Sequence, residues 1–173
     1  MKKLLFLVLA IVFPQLALAE GVACVSVTPT IDTSAYAAGD LMGTKQTLAG
    51  LLDPNVGSGH VISVTVSDKA AQAIDLDYVL FTQDPTSTTF TDQAAFDPAD
   101  ADLPYIMPAI NLGSSSRFAF SDNSTHYVGS LALPVQVTGT GSKSTLYGAL
   151  VARGAFTAAA SSDVTVTVCV FRD

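Results

Sequence analysis

Residues 164–171 read Val-Thr-Val-Thr-Val-Cys-Val-Phe, and this ladder decides the fold. Apolar and polar side chains alternate with a period of two, the repeat of a strand that buries one face. Valine and threonine branch at Cβ, which suits a pleated sheet better than a helix. The valines share one face, and Cys169 falls on the other with Thr165 and Thr167. Near the opposite end of the chain, residues 22–28 repeat the pattern. Ala23, Val25 and Val27 face one way, Cys24 and Ser26 the other. Two strands that each carry a cysteine on the polar face are expected to be neighbours, linked by a Cys24–Cys169 disulfide. Two unlinked buried thiols are the alternative. These are the 2 cysteines of the chain, and an even count in an oxidising compartment favours the bridge. Closing nearly the whole domain, it would contribute on the order of 4 kcal/mol through loop-closure entropy.

The same rhythm runs through the rest of the sequence. From 60 to 67, Ile62, Val64 and Val66 are expected inward, with Ser63 and Thr65 outward. From 74 to 80, Ile74, Leu76, Tyr78 and Leu80 alternate with Asp75 and Asp77. Leu131, Leu133, Val135 and Val137 form another series, and residues 146–151 are apolar on both faces, as in a central strand. Shorter strand candidates span 46–51, 105–112 and 118–120. Asp53-Pro54-Asn55, Asp84-Pro85, Asp97-Pro98, Asp122-Asn123 and the Gly139–Gly141 stretch supply turn chemistry between them. Strands of this length and spacing imply an all-β, antiparallel, jelly-roll-like sandwich in a single domain over residues 20–173. Residues 155–162 are alanine-rich but flanked by Thr and Ser, and fit a loop.

Composition agrees. Charged residues are 13% of the chain, so Ser, Thr, Asn, Gln and Gly must cover much of its surface. Fourteen of the fifteen acids are Asp, a turn residue, and Glu20 is the one Glu. The formal net charge is −7. A surface this poor in Lys and Arg offers no footprint for phosphates, which argues against nucleic acid as a partner. Residues 1–19, MKKLLFLVLAIVFPQLALA, have the build of a signal peptide: Lys2 and Lys3, an apolar run over 4–13, then Ala17-Leu18-Ala19 as a cleavage site. The run is short for a span of about 20 residues. The expectation is export to the periplasm or medium, with no membrane attachment after cleavage. Loss of the two lysines would leave six basic against fifteen acidic groups.

Motifs that carry enzyme chemistry are missing. There is no nucleophile elbow, phosphate loop, zinc-binding His-Glu-x-x-His or Cys-x-x-Cys. His60 follows Gly57-Ser58-Gly59 at a strand start, and His126 is read in a Ser/Thr-rich turn. No catalytic residues are assigned, and the expectation is a protein that is not an enzyme and needs no cofactor. Calcium is the candidate metal, because carboxylate oxygens are what the chain offers a hard cation. Its candidate ligands are Asp92, Asp97, Asp100 and Asp102, in the irregular stretch from 83 to 104. The bland reading is turn-capping aspartates. Phe90 and Phe96 in the same stretch either pin it to the sandwich or present an apolar surface to a partner. Asn123-Ser124-Thr125 matches a glycosylation acceptor pattern that is common by chance.

Ile31-Asp-Thr-Ser-Ala-Tyr-Ala-Ala-Gly-Asp40, VTVSDK at 64–69, LDYVLF at 76–81, the segment from Thr89 to Asp102, and LYGALV at 146–151 carry a further signal. Together these stretches resemble small virion-associated, structural or decoration-type proteins of tailed bacteriophages and prophages. The resemblance covers 31–155 and rests on sequence texture, not on active-site motifs. It implies a β-sandwich that decorates or joins a particle, with other copies of itself or capsid- and tail-like proteins as partners, and it implies no catalytic residues. The apparent export signal and the cysteine pair depart from it, since virion proteins assembled in the cytoplasm need neither. The first functional expectation is therefore a structural or interaction module of a viral or extracellular assembly. The second is a secreted carbohydrate- or surface-binding sandwich, for which Tyr36, Tyr105, Tyr127 and Tyr147 are the available stacking rings in a chain without Trp. A secreted hydrolase is the third.

Overall fold

The valine-threonine ladder is an interior strand of one of two antiparallel sheets. A computed structural model describes residues 21–72, 74–137 and 142–173. The leader and the Gly139–Gly141 turn lie outside the described residues. Ten strands follow in order: β1 (Gly21–Val27), β2 (Gln46–Leu48), β3 (Ser58–Asp68), β4 (Leu76–Phe81), β5 (Ile110–Leu112), β6 (Arg117–Ala119), β7 (Ser124–Val128), β8 (Leu133–Gln136), β9 (Leu146–Ala152) and β10 (Val164–Arg172). Two single-turn 3₁₀ segments, Leu103–Tyr105 and Ser114–Ser116, are the helical elements among the described residues.

One sheet has the order β1-β10-β3-β7-β6, with β8 also paired to β3, and the other has the order β2-β9-β4-β5. The pairings are nested: β1 with β10, β2 with β9, β3 with β7 and β4 with β5, all antiparallel. The chain is thus one long hairpin whose arms wind together across two layers. That connectivity defines a jelly-roll sandwich, with β6 and β8 as additions beside β7 and β3.

The core sits between the layers. Val25 and Val27 of β1 and the four inward valines of β10 join Leu48, Leu76, Tyr78, Leu80, Leu146 and Leu150 of the opposite sheet in one cluster. Cys24 stands directly opposite Cys169 in the β1–β10 register, and the two form a disulfide. Both lie on the outer, polar face, as their alternation required. Gly148 leaves room for the Tyr78 ring, whose hydroxyl donates to Gln46 Oε1 at 2.9 Å. A Cβ at position 148 would lie 2.1 Å from the Tyr78 hydroxyl oxygen.

Three local expectations are corrected. In β3 the inward residue is Val61, fully buried, and not Ile62. A bulge shifts the β3–β10 register here, pairing Ser63 with Cys169 and Val61 with Val170. It falls where β3 changes its other neighbour from β7 to β8, a usual place for a bulge. Strand β4 is buried on both faces, not one. His126 does not lie in a turn: it is the central residue of β7 and is 1% exposed.

Candidate interaction surface

The two outer faces of the sandwich differ. The outer face of the four-stranded sheet is roofed by the irregular stretch from 83 to 104. Phe81 and Val79 of β4, Ala149 of β9 and Leu41 form a second buried cluster, against which Phe90, Phe96, Ile106 and Tyr147 pack. The rings of Phe90 and Phe96 lie 6.0 and 6.5 Å from that of Phe81 and 5.8 Å from each other. Backbone bonds Leu41 N to Ala94 O, Gln93 N to Leu41 O and Phe96 N to Gly39 O fasten the roof. Phe90 and Phe96, candidates for a partner surface, are instead half-buried and pin the loop to the sheet.

The aspartates of this stretch hold it in shape. Asp92 accepts hydrogen bonds from the backbone N–H groups of Asp32 (2.9 Å) and Gly43 (2.6 Å) and from the Tyr36 hydroxyl (2.7 Å). Gly43 has φ +80°, and a Cβ there would lie 2.8 Å from Pro29, so the close approach of its N–H to Asp92 depends on glycine. Asp102 accepts from the backbones of Ser87 and Thr88 and from the Thr88 hydroxyl, at 3.0, 2.7 and 2.7 Å. Asp97 and Asp100 are exposed. Both oxygens of Asp92 and Oδ2 of Asp102 are thus engaged by loop donors. Among the described residues no group of three or more His, Cys, Asp or Glu is placed to hold a metal ion.

The outer face of the six-stranded sheet has no such roof among the described residues. Directly opposed residues share a face, so the registers define its rows. One row runs Val22, Phe171, His60, Pro134; the next Cys24, Cys169, Ser63; then Ser26, Thr167, Thr65, Tyr127; and last Thr165, Ser67, Thr125, Phe118. Hydroxyls pair across strands, Ser26 with Thr167 at 2.8 Å and Thr28 with Thr165 at 3.0 Å. These rows contain no Asp, Glu, Lys or Arg, although the chain is acidic. Aromatic rings on this side are unusually bare: in the rows Phe118 is 74% exposed and Tyr127 56%, and Phe120, just past β6, is 60% exposed. The Phe118 and Phe120 rings lie side by side, 6.5 Å apart.

The other aromatic candidates go elsewhere. Tyr36 is buried, and burial together with its bond to Asp92 pushes its hydroxyl far above the ordinary tyrosine range. Tyr147 packs in the roofed cluster with Lys45 Nζ over its ring, and Tyr105 ends a 3₁₀ turn. Tyr127 alone of the four lies on the bare face. Phe118 and Phe120 were legible in sequence only as members of a short apolar strand, with nothing to distinguish exposure from burial.

The histidines separate as well. His60 lines an open cleft of about 360 Å³ with Ser58, Pro134, Gln136 and Asp173. Its Nδ1 is 3.6 Å from Asp173 Oδ1, while the Ser58 hydroxyl donates to Asp173 Oδ2 at 2.8 Å. Serine and histidine both turn to the carboxylate. This lacks the contact between hydroxyl and base that activates a nucleophile. His126 is enclosed near Asp68 and Arg117, and desolvation holds its imidazole below the ordinary value of 6.5.

No helix among the described residues is long and apolar enough to cross a membrane. No known family model matches the chain, and no curated protein is detectably similar to it.

Proposed function

We propose that this protein is a non-enzymatic structural and interaction module, a subunit or decoration protein of an extracellular or viral assembly. The observation that carries the reading is the inequality of the two outer faces. One is sealed by its own loop. The other leaves the rings of Phe118, Phe120 and Tyr127 largely in water, beside rows of residues that include no Asp, Glu, Lys or Arg. A cluster of large exposed apolar groups is the mark of a docking surface, and aromatic rings are enriched at such sites. The resemblance to phage decoration-type proteins points the same way. The disulfide fits an oxidising compartment and supports an assembly outside the cytoplasm, in the periplasm or medium.

The test is density-gradient fractionation of medium and periplasm from cells that produce the protein. The processed chain is expected to travel with particles, and Phe118→Ser/Phe120→Ser to be released as free protein while keeping its thermal midpoint. Recovery of the wild type only as free protein in every fraction would overturn the reading.

Tyr127 supports a second one. Its exposed ring lies beside Thr65 and Thr125, and a stacking ring next to hydroxyls is the chemistry of sugar recognition. A glycan array is the measurement. Binding that Tyr127→Ala abolishes would favour a carbohydrate-binding module over an assembly subunit.

A further inference from the structure

We infer that two copies of this chain pair edge to edge through β1, with the two-fold axis at Cys24, making one continuous sheet with a doubled bare face. The inference rests on the assembly reading above and adds its partner and symmetry.

Every second residue of β1 has its backbone groups free. Cys24 and Cys169 are directly opposed with Cα atoms 4.1 Å apart. That is the close spacing of an antiparallel pair that does not exchange backbone hydrogen bonds; bonded pairs lie roughly 5.5 Å apart. In such a ladder the two kinds of pair alternate. Ala23 and Val25 therefore bond to β10, while the N–H and C=O groups of Val22, Cys24 and Ser26 point away from it. Strand β1 is the end of its sheet, and nothing among the described residues pairs with these groups.

The fold protects its other edges and not this one. Edge strands are usually kept short or interrupted by proline or charge to prevent pairing with another chain. Strands β2, β5 and β6 have three residues each. Strand β8 has four and contains Pro134. Strand β1 has seven, GVACVSV, with no proline and no charge, and its Val22 is 60% exposed. The disulfide at its centre anchors it to the sheet.

The occupant follows from length, register and charge. A three-residue edge such as β6 cannot match seven residues, whereas β1 matches itself. With Cys24 opposite its counterpart, Val22 faces Ser26 of the second copy, and all three outward residues exchange bonds. Six backbone hydrogen bonds result. Even-numbered residues meet even-numbered ones, so both disulfides and both bare faces lie on one side. Two acidic molecules approach most readily along a seam free of acids, and β1 provides one. Seven residues at about 3.3 Å each give a seam only about 23 Å long. A seam of that length and one strand wide is too narrow to bury the roughly 800 Å² per partner of a standard stable interface. The isolated pair is accordingly weak, and assembly on a particle would strengthen it by raising local concentration.

Sedimentation equilibrium of the processed, disulfide-bonded protein, from micromolar to millimolar, tests this. The mass is expected to rise towards twice that of one chain. Ser26→Pro removes an N–H that faces away from β10, so it should stay at the mass of one chain with an unchanged unfolding midpoint. A wild type that stays single at millimolar concentration overturns the inference, as does a Ser26→Pro variant that dimerises equally well. Should that variant fail to fold, amide exchange on the wild type decides. The Val22, Cys24 and Ser26 amides must slow as concentration rises, and unchanged exchange overturns the inference. Phe118→Ser/Phe120→Ser should dimerise normally while losing its particle. Particle binding by a strictly single wild-type chain would leave the assembly reading standing and sink only the β1 seam.

Discussion

His126 sits in the middle of β7 with its Nδ1 buried and unpartnered. Burial is the main reason its imidazole titrates low, and Arg117 adds to it; the Gly113 and Leu112 backbone and the Asp68 carboxylate oppose. The folded value lies below the unfolded 6.5, so just under that pH the unfolded chain holds a proton that the folded chain lacks. Stability that is complete above about pH 6.5 is therefore lost as pH falls through the window beneath it. Asp68 works in the opposite sense and lower down. Burial raises its carboxyl above the ordinary 3.8, so its contribution is present in acid and lost as pH climbs through the raised value. Urea unfolding at about pH 7.5 and 5.5 should show a weaker protein at the lower pH, and His126→Gln should lose most of that difference. The sequence concealed this site because Ser124 and Thr125 read as turn residues, and only tertiary packing turns a polar Ser-Thr-His run into a buried strand. Cys24 and Cys169 were legible for the opposite reason: each sits in a clean alternation that assigns it to the polar face of its strand.

At the level of elements, the stretch from 83 to 104 decides which face remains open. Its closure depends on a few rings meeting Phe81, and such a long-range contact leaves no periodic trace in sequence. Strand β4 shows the cost to a reading by alternation. Asp77 suggested a wet outer face, yet it is covered and held by Arg153, at 2.5 Å from both Nε and Nη2 to Oδ2, and by Asn111 Nδ2 at 2.9 Å. The bulge at Ile62 was equally hidden, because Val61 and Ile62 are interchangeable as inward apolar residues until the neighbouring strands are known. Cutting Phe96 back to alanine removes one ring of the roof and uncovers Phe81. For a half-buried aromatic the expected cost is about 2 kcal/mol, below the 3–5 of a fully buried one. Limited proteolysis should cut Phe96→Ala within 83–104 faster than the wild type, with the rest of the domain intact. Equal cutting rates would show that the aspartate staples alone hold the loop.

Across the whole molecule, the nested pairing sets the stability problem. Strand β1 touches its sheet through β10 alone, and the partners lie 145 residues apart at the disulfide. Forming that contact carries a large loop-closure penalty, which the covalent link removes from the unfolded side. The expected loss on reduction is about 4–5 kcal/mol, or a urea midpoint lower by about 2 M at typical denaturant sensitivity. Dithiothreitol and Cys24→Ser/Cys169→Ser should give the same shift, and a midpoint that ignores both would show β1 to be held by packing alone. The two-layer architecture was readable because alternation survives in β1 and β10, while β9, apolar on both faces, reads as an interior strand. The pairing order was not, since alternation says which side chains point inward and nothing about which strand lies next door. That order bears on synthesis. The strand made first waits for the strand made last, and β3 needs the same late arrival to complete its own flank. A ribosome product that stops short of Val164 has no smaller stable version of itself to settle into, so incomplete chains stay open to proteases while finished ones lock shut.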